Sequence, residues 1–122
     1  MAKKLILKNL TRGNVLAAHA DIAGTSEARR RGLLKRMSFS PGEGLWIVPC
    51  EAVHTFGMNF PIDVIYLSKK QKVVKIRGNM KRSRMSFCLR AHSVIELPAG
   101  TAALTGTALG DELEIVRYET EN

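Results

Sequence analysis

The sequence predicts a mainly β fold with one α-helix near residues 25–37. Three observations lead to it. Apolar segments of strand length recur along the chain, punctuated by Gly, Pro, Asn and polar turn residues. Residues 25–37 alone combine a capping hydroxyl, an acidic first turn and no proline. At 122 residues, 45% apolar and 25% charged, the chain can bury one core but not two, so a single domain over residues 1–122 is expected.

Residues 5–9 and 15–22 are partly alternating apolar segments joined by Thr11-Arg12-Gly13-Asn14, and they read as a hairpin. In the helix that follows, Thr25 or Ser26 offers an oxygen to the free amides of the first turn, and Glu27 suits the positive end of the dipole. Leu33, Leu34 and Met37 form its apolar stripe. At about 100° per residue, Arg29 and Arg36 return to nearly the same face. Two guanidinium groups can then converge, as ordinary surface, in ion pairs with Asp63, Glu96 or Asp111, or in an anion site, with surface or ion pairs favoured over the anion site. Gly32 inside such a helix costs about 1 kcal/mol relative to Ala, which a close backbone contact would compensate.

Residues 44–48 are an unbroken apolar run of strand length, stopped by Pro49, and read as a buried strand. Residues 62–67 and 72–77 flank the polar turn Ser68-Lys69-Lys70-Gln71 and form the clearest hairpin. Lysines on its second strand indicate a wet face or a sheet edge. Residues 78–92 read as a long loop holding a short strand near 87–89. Residues 93–97 form another strand, Pro98-Ala99-Gly100 turns the chain, residues 101–107 hold a helical turn, and residues 112–118 alternate as a last strand.

The net charge of +8 gathers in Arg29-Arg30-Arg31, Lys35-Arg36, Lys69-Lys70, Lys72 and Lys81-Arg82 with Arg84. Such clusters attract phosphates. No Phe, Tyr or Trp lies between their members, so a stacking platform for single strands is not indicated and nucleic-acid binding ranks as a third reading. Lys3 and Lys4 precede only Leu5-Ile6-Leu7, too short for a signal-peptide core, and no window approaches eighteen apolar residues. A cytoplasmic protein away from the membrane is expected, with Cys50 and Cys88 as free thiols.

One short run, Cys50 to Asp63, gathers a thiol, an imidazole and a carboxylate around His54. Three chemistries suit these residue types. A metal site could draw on Cys50 and His54 with His92 or Glu96, but Cys-x-x-x-His has no matching second pair. A catalytic arrangement would use Cys50 as thiolate, His54 as base and Asp63 to orient it, with contacts near 3 Å. Non-catalytic binding of a small anionic or polar ligand would use Arg29, Arg36 and His54 in a pocket walled by Trp46, Phe56 and Met58. The last needs the fewest coincidences.

The blocks Arg29-x-x-Gly32-Leu33-Leu34-x-Arg36, Gly44-Leu45-Trp46-Ile47-x-Pro49, His54-Thr55-Phe56-Gly57-Met58-x-x-Pro61-Ile62-Asp63-Val64, Glu96-Leu97-Pro98-Ala99-Gly100 and Gly110-Asp111 run in order along nearly the whole chain. Together they resemble the family of domain of unknown function 192. The resemblance implies a β-sandwich or distorted jelly-roll, barrel-like fold with an added helix. It also implies a shared pocket at Arg29, Arg36, His54, Met58, Pro61 and Asp63. The chain departs from the pattern at Ser68-Lys69-Lys70-Gln71, where the family usually has Asp and Gly, and in residues 78–92.

The resulting expectation is a monomeric, non-catalytic binding or accessory domain for a small polar or anionic ligand, with no resident metal or cofactor. Its binding residues are expected to be Arg29, Arg36, His54, Met58, Asp63 and Trp46. The alternatives are a Cys50- and His54-dependent enzyme or a metal-binding protein.

Overall fold

Where strands are buried on both sides, their sequence reads as a continuous apolar run rather than an alternation, and the centre of this molecule is built from three such runs. The computed structural model describes residues 2–120. Its elements are β1 (Ala2–Asn9), β2 (Asn14–Ala23), α1 (Ser26–Arg31), β3 (Glu43–Ile47), β4 (Ala52–His54), β5 (Ile62–Leu67), β6 (Val73–Met80), β7 (Met85–Phe87), β8 (Ser93–Pro98), α2 (Thr101–Thr105) and β9 (Leu113–Thr120). Seven strands form one mixed sheet in the order β6-β5-β8-β3-β2-β1-β9, and β4 pairs with β7 in a small second sheet. Only the β2–β3 pair within the large sheet is parallel, and α1 lies in the crossover that a parallel pair requires.

Side chains of β3, β5 and β8 alternate between two apolar clusters. Leu45, Ile47, Val64, Tyr66 and Val94 enter one, packed with Leu33, Val53 and Met58. Trp46, Ile65, Ile95 and Leu97 enter the other, packed with Leu5, Leu7, Leu16 and Leu113. For β1, β2 and β9 to cover the same face as β5 and β8, the sheet must curl. Its edges meet at one end through the Lys72–Glu112 bridge, where Val73 N–H donates to the Asp111 carbonyl at 2.9 Å and Gly110 N–H to the Val73 carbonyl at 2.8 Å.

The mainly β fold and both predicted hairpins are present, and the lysine-bearing β6 is an edge strand. The helix is shorter than residues 25–37. Thr25 caps it by accepting from Ala28 N–H at 3.0 Å, but it ends at Arg31 because Gly32 takes φ 47°, ψ −127°. Lys35 also has positive φ, so residues 32–35 continue as turns. A Cβ at Gly32 would meet only the Arg29 carbonyl, at 3.8 Å. Backbone conformation rather than a close contact therefore explains this glycine. Cys50 and Cys88 are free.

Candidate functional site

Where β3 leaves the sheet, the chain crosses a cis Val48–Pro49 peptide, and Cys50 N–H is held by the His92 carbonyl at 3.0 Å. The chain then enters β4. Facing this exit lies α1, and the gap between them is a cavity of about 590 Å³, within the size range of small-molecule sites. Arg29, Arg30 and Arg31 line it from α1, and Leu33, Ile47, Val53 and Met58 supply apolar wall. Cys50, His54 and Glu96 add polar groups.

Glu96 is the unusual member. It sits in the middle of the sheet, opposite Leu45 on β3 and Val64 on β5, on a side chain only 4% exposed. No hydrogen bond or ion pair holds its carboxyl among the described residues. Burial pushes that carboxyl up to about 7, with the Arg36 charge pulling the other way. Buried polar groups normally have partners, so a bare carboxyl facing a cavity marks that wall.

The Cys50 thiol is half-buried and donates to the Ala52 carbonyl at 3.1 Å. Burial raises its pKa, a backbone hydrogen bond from Ala52 opposes that, and the nearby Glu96 charge raises it further. A thiol so placed is a poor nucleophile at neutral pH. The Arg29 guanidinium donates to the Gly24 carbonyl at 2.9 Å and to Ser26 Oγ at 3.4 Å. Arg31 stands 3.9 Å from Glu27 at an exposed position, and Arg30 has no side-chain partner among the described residues.

Of the residues singled out in the sequence, Arg29, Cys50, His54 and Met58 meet at this cavity. The others do not. Arg36 turns to Asp21, 2.9 Å away, whose other oxygen takes Lys4 at 2.7 Å. Because the helix ends at Arg31, the seven-residue return that was to bring Arg36 beside Arg29 does not occur. Asp63 is buried on backbone amides, accepting from Asn79 at 2.8 Å, Gly100 at 3.1 Å and Ala102 at 2.8 Å. Trp46 points into the cluster on the opposite face of the sheet. Phe56 stacks on His54 at 5.6 Å outside the cavity lining.

With Asp63 committed elsewhere and the Cys50 thiol bonded to Ala52, the Cys50–His54–Asp63 relay is not assembled. Among the described residues, no three His, Cys, Asp or Glu side chains group closely enough to hold a metal ion. In the sequence, Arg30 and Arg31 stood out only as part of a phosphate-attracting cluster, and Glu96 only as an ion-pair partner or metal ligand, not as contacts for a small ligand in this cavity. For Glu96 a signal existed, a lone acid inside the apolar run Val94-Ile95-Glu96-Leu97.

Residues 7–115 match the family model for domain of unknown function 192, described as uncharacterised ACR. The chain belongs to this family. A UPF0127 protein of Thermococcus sibiricus is 31% identical over 118 residues, covering 89% of this chain and 73% of the relative. Two solved structures share the fold of this domain of unknown function 192 member. One, a protein of unknown function from Novosphingobium aromaticivorans, superposes with a TM-score of 0.79 at 23% identity, over 91% of this chain and 83% of that one. The other, a candidate transcription regulator from Sinorhizobium meliloti, gives 0.80 at 22% identity over 93% of each chain. At such identities the likeness speaks for the fold alone.

Proposed function

We propose that this member of the domain of unknown function 192 family is a non-catalytic binding domain whose cavity between α1 and the β3–β4 connection takes a small anionic ligand. The observation that carries the reading is the concentration of Arg29, Arg30 and Arg31 on one concave, apolar-walled surface. Guanidinium groups on such a surface pair with carboxylates and phosphates more strongly than on an open face, because the apolar wall weakens competition from water. The raised Cys50 pKa, the thiol's bond to the Ala52 carbonyl and the commitment of Asp63 to backbone amides elsewhere favour binding over thiol catalysis.

The test is titration of 15N-labelled protein with inorganic phosphate and with short carboxylates. Saturable shifts confined to residues 29–34, Cys50, Val53 and Met58 are expected, and they should disappear in the Arg29→Ala/Arg30→Ala/Arg31→Ala variant. Shifts scattered over other basic clusters, or unchanged in the variant, would refute the reading.

A further inference from the structure

The arginines of α1 account for only one wall of the cavity. Glu96 opens onto the same space from the centre of the sheet, 96% buried by its 4% exposure, with no donor to meet its carboxyl among the described residues. A lone buried acid in an apolar setting is a standing cost to the fold, and it is placed where a ligand could remove that cost. The side chains flanking it across the ladder, Leu45 and Val64, have no group that can donate. Within the lining, Arg29 is partly engaged by Gly24 and Ser26.

We infer that the ligand of this cavity is a small zwitterion, with its acidic group on the α1 arginines and a primary amine on Glu96. The inference rests on the small-anion reading above and narrows its ligand to amino acids and related amine-bearing acids. An ammonium fits the deep end because it supplies three donors and a positive charge to a carboxylate that has neither. A simple anion would leave Glu96 as bare as before and would bring a second negative charge towards it. The apolar wall of Leu33, Ile47, Val53 and Met58 suits the methylene spacer between the two charges.

Proton exchange gives an independent readout. Glu96 is partly protonated near neutral pH, so an incoming ammonium must expel that proton. The charged and titratable groups that face Glu96 are Arg36, Cys50 and Tyr66, and Arg29 and His54 share the cavity. A Glu96→Gln control assigns the released proton to this carboxyl.

The experiment is calorimetric titration of the full chain with a series of ω-amino acids of increasing length, each beside the carboxylic acid lacking the amine, in buffers of different ionisation enthalpy. One chain length should bind about ten- to hundredfold tighter than its amine-free counterpart, the size of a charge-assisted hydrogen bond. Binding should release protons near pH 7. Glu96→Gln should abolish both the preference and the release, and should bind the plain acids at least as tightly as wild type because their carboxylate no longer meets a second negative charge. Equal binding of acids and amino acids, with Glu96→Gln silent, would overturn the zwitterion and leave the anion reading standing. Failure of every compound in both series would overturn both.

Discussion

A single carboxyl sets the most informative energetic conflict in this molecule. Glu96 is pushed up to about 7 by burial, from 4.5 in the open chain. For an acid whose folded pKa is raised, the native state holds the proton longer than the unfolded one, so stability falls as pH rises between 4.5 and 7 and stays low above. Below 4.5 both states are protonated and the cost vanishes. Glu96→Gln keeps the shape and removes the charge. The variant is expected to match wild type near pH 4.5 and to exceed it at pH 8 by on the order of 3 kcal/mol, measured by urea unfolding at each pH. A constant difference across that range would show that Glu96 is solvated or paired in the native state. Such a gain on removing a buried charge is the usual sign of a residue retained for binding rather than folding. Asp63 is the contrast. It too is a buried acid, but three backbone amides satisfy it, so it ties the β8–α2 turn to β5 and β6.

At the scale of elements, the parallel β2–β3 pair is a close-packed joint. Gly44 on β3 lies against Ala17 and Ala20 of β2, and a Cβ there would come within 3.1 Å of Ala17 Cβ and Leu97 Cδ2 and 3.3 Å of Ala20 Cβ. The two alanine carbons cannot swing away, being fixed to strand backbone. Gly44→Ala should therefore cost about 1–3 kcal/mol by overpacking. Gly24→Ala, with open space around its Cβ, should stay within about 0.5 kcal/mol of wild type, both read from denaturant midpoints. Equal midpoints would mean that the strands part without cost. The same elements show what a sequence can reveal. The strands at 44–47, 62–67 and 93–98 were legible because two-sided burial makes their apolar runs continuous. By contrast, β4 was invisible, since three residues with only Val53 buried carry no period. The helix was misjudged in length because Gly32 reads as a tolerated interruption until its positive φ is known. Arg29, His54 and Met58 were legible as candidates and line the cavity, whereas Arg36, Asp63 and Trp46 are drawn elsewhere by an ion pair, by backbone amides and by strand alternation. Glu96 was visible as an acid among apolar residues, but its lack of a partner is a property of the assembled sheet.

For the whole molecule, Asp111 is where the curled sheet is held at its meeting edges. Its carboxylate accepts from Asn9 Nδ2 at 2.9 Å, from Arg12 Nε at 3.0 Å and from Ala108 N–H at 3.0 Å, while its carbonyl takes Val73 N–H. One residue thus ties β1, the β1–β2 turn, the α2–β9 connection and β6. The Arg12 hydrogen bond, followed by that of Asn9 and the Ala108 amide, holds the carboxyl down at about 2 against burial. Here the folded pKa is depressed, so the stability is fully present above 3.8 and is lost as pH falls towards 2. Asp21 is lowered too, its burial outweighed by hydrogen bonds from Lys4 and Arg36. With 19 Lys and Arg against 11 Asp and Glu, acidification also adds like-charge repulsion, which steepens the same flank. Set against the Glu96 cost at higher pH, these terms place maximum stability in mildly acidic solution, near the 4.5 at which Glu96 is protonated and Asp111 is still charged. Asp111→Asn turns an amide donor towards groups that are themselves donors, and should cost about 1–3 kcal/mol at pH 5. Its melting temperature should fall less steeply than that of wild type between pH 3.8 and 2. Parallel melting curves for the two proteins over that window would show that the edges are held together by the backbone ladder without the Asp111 charge.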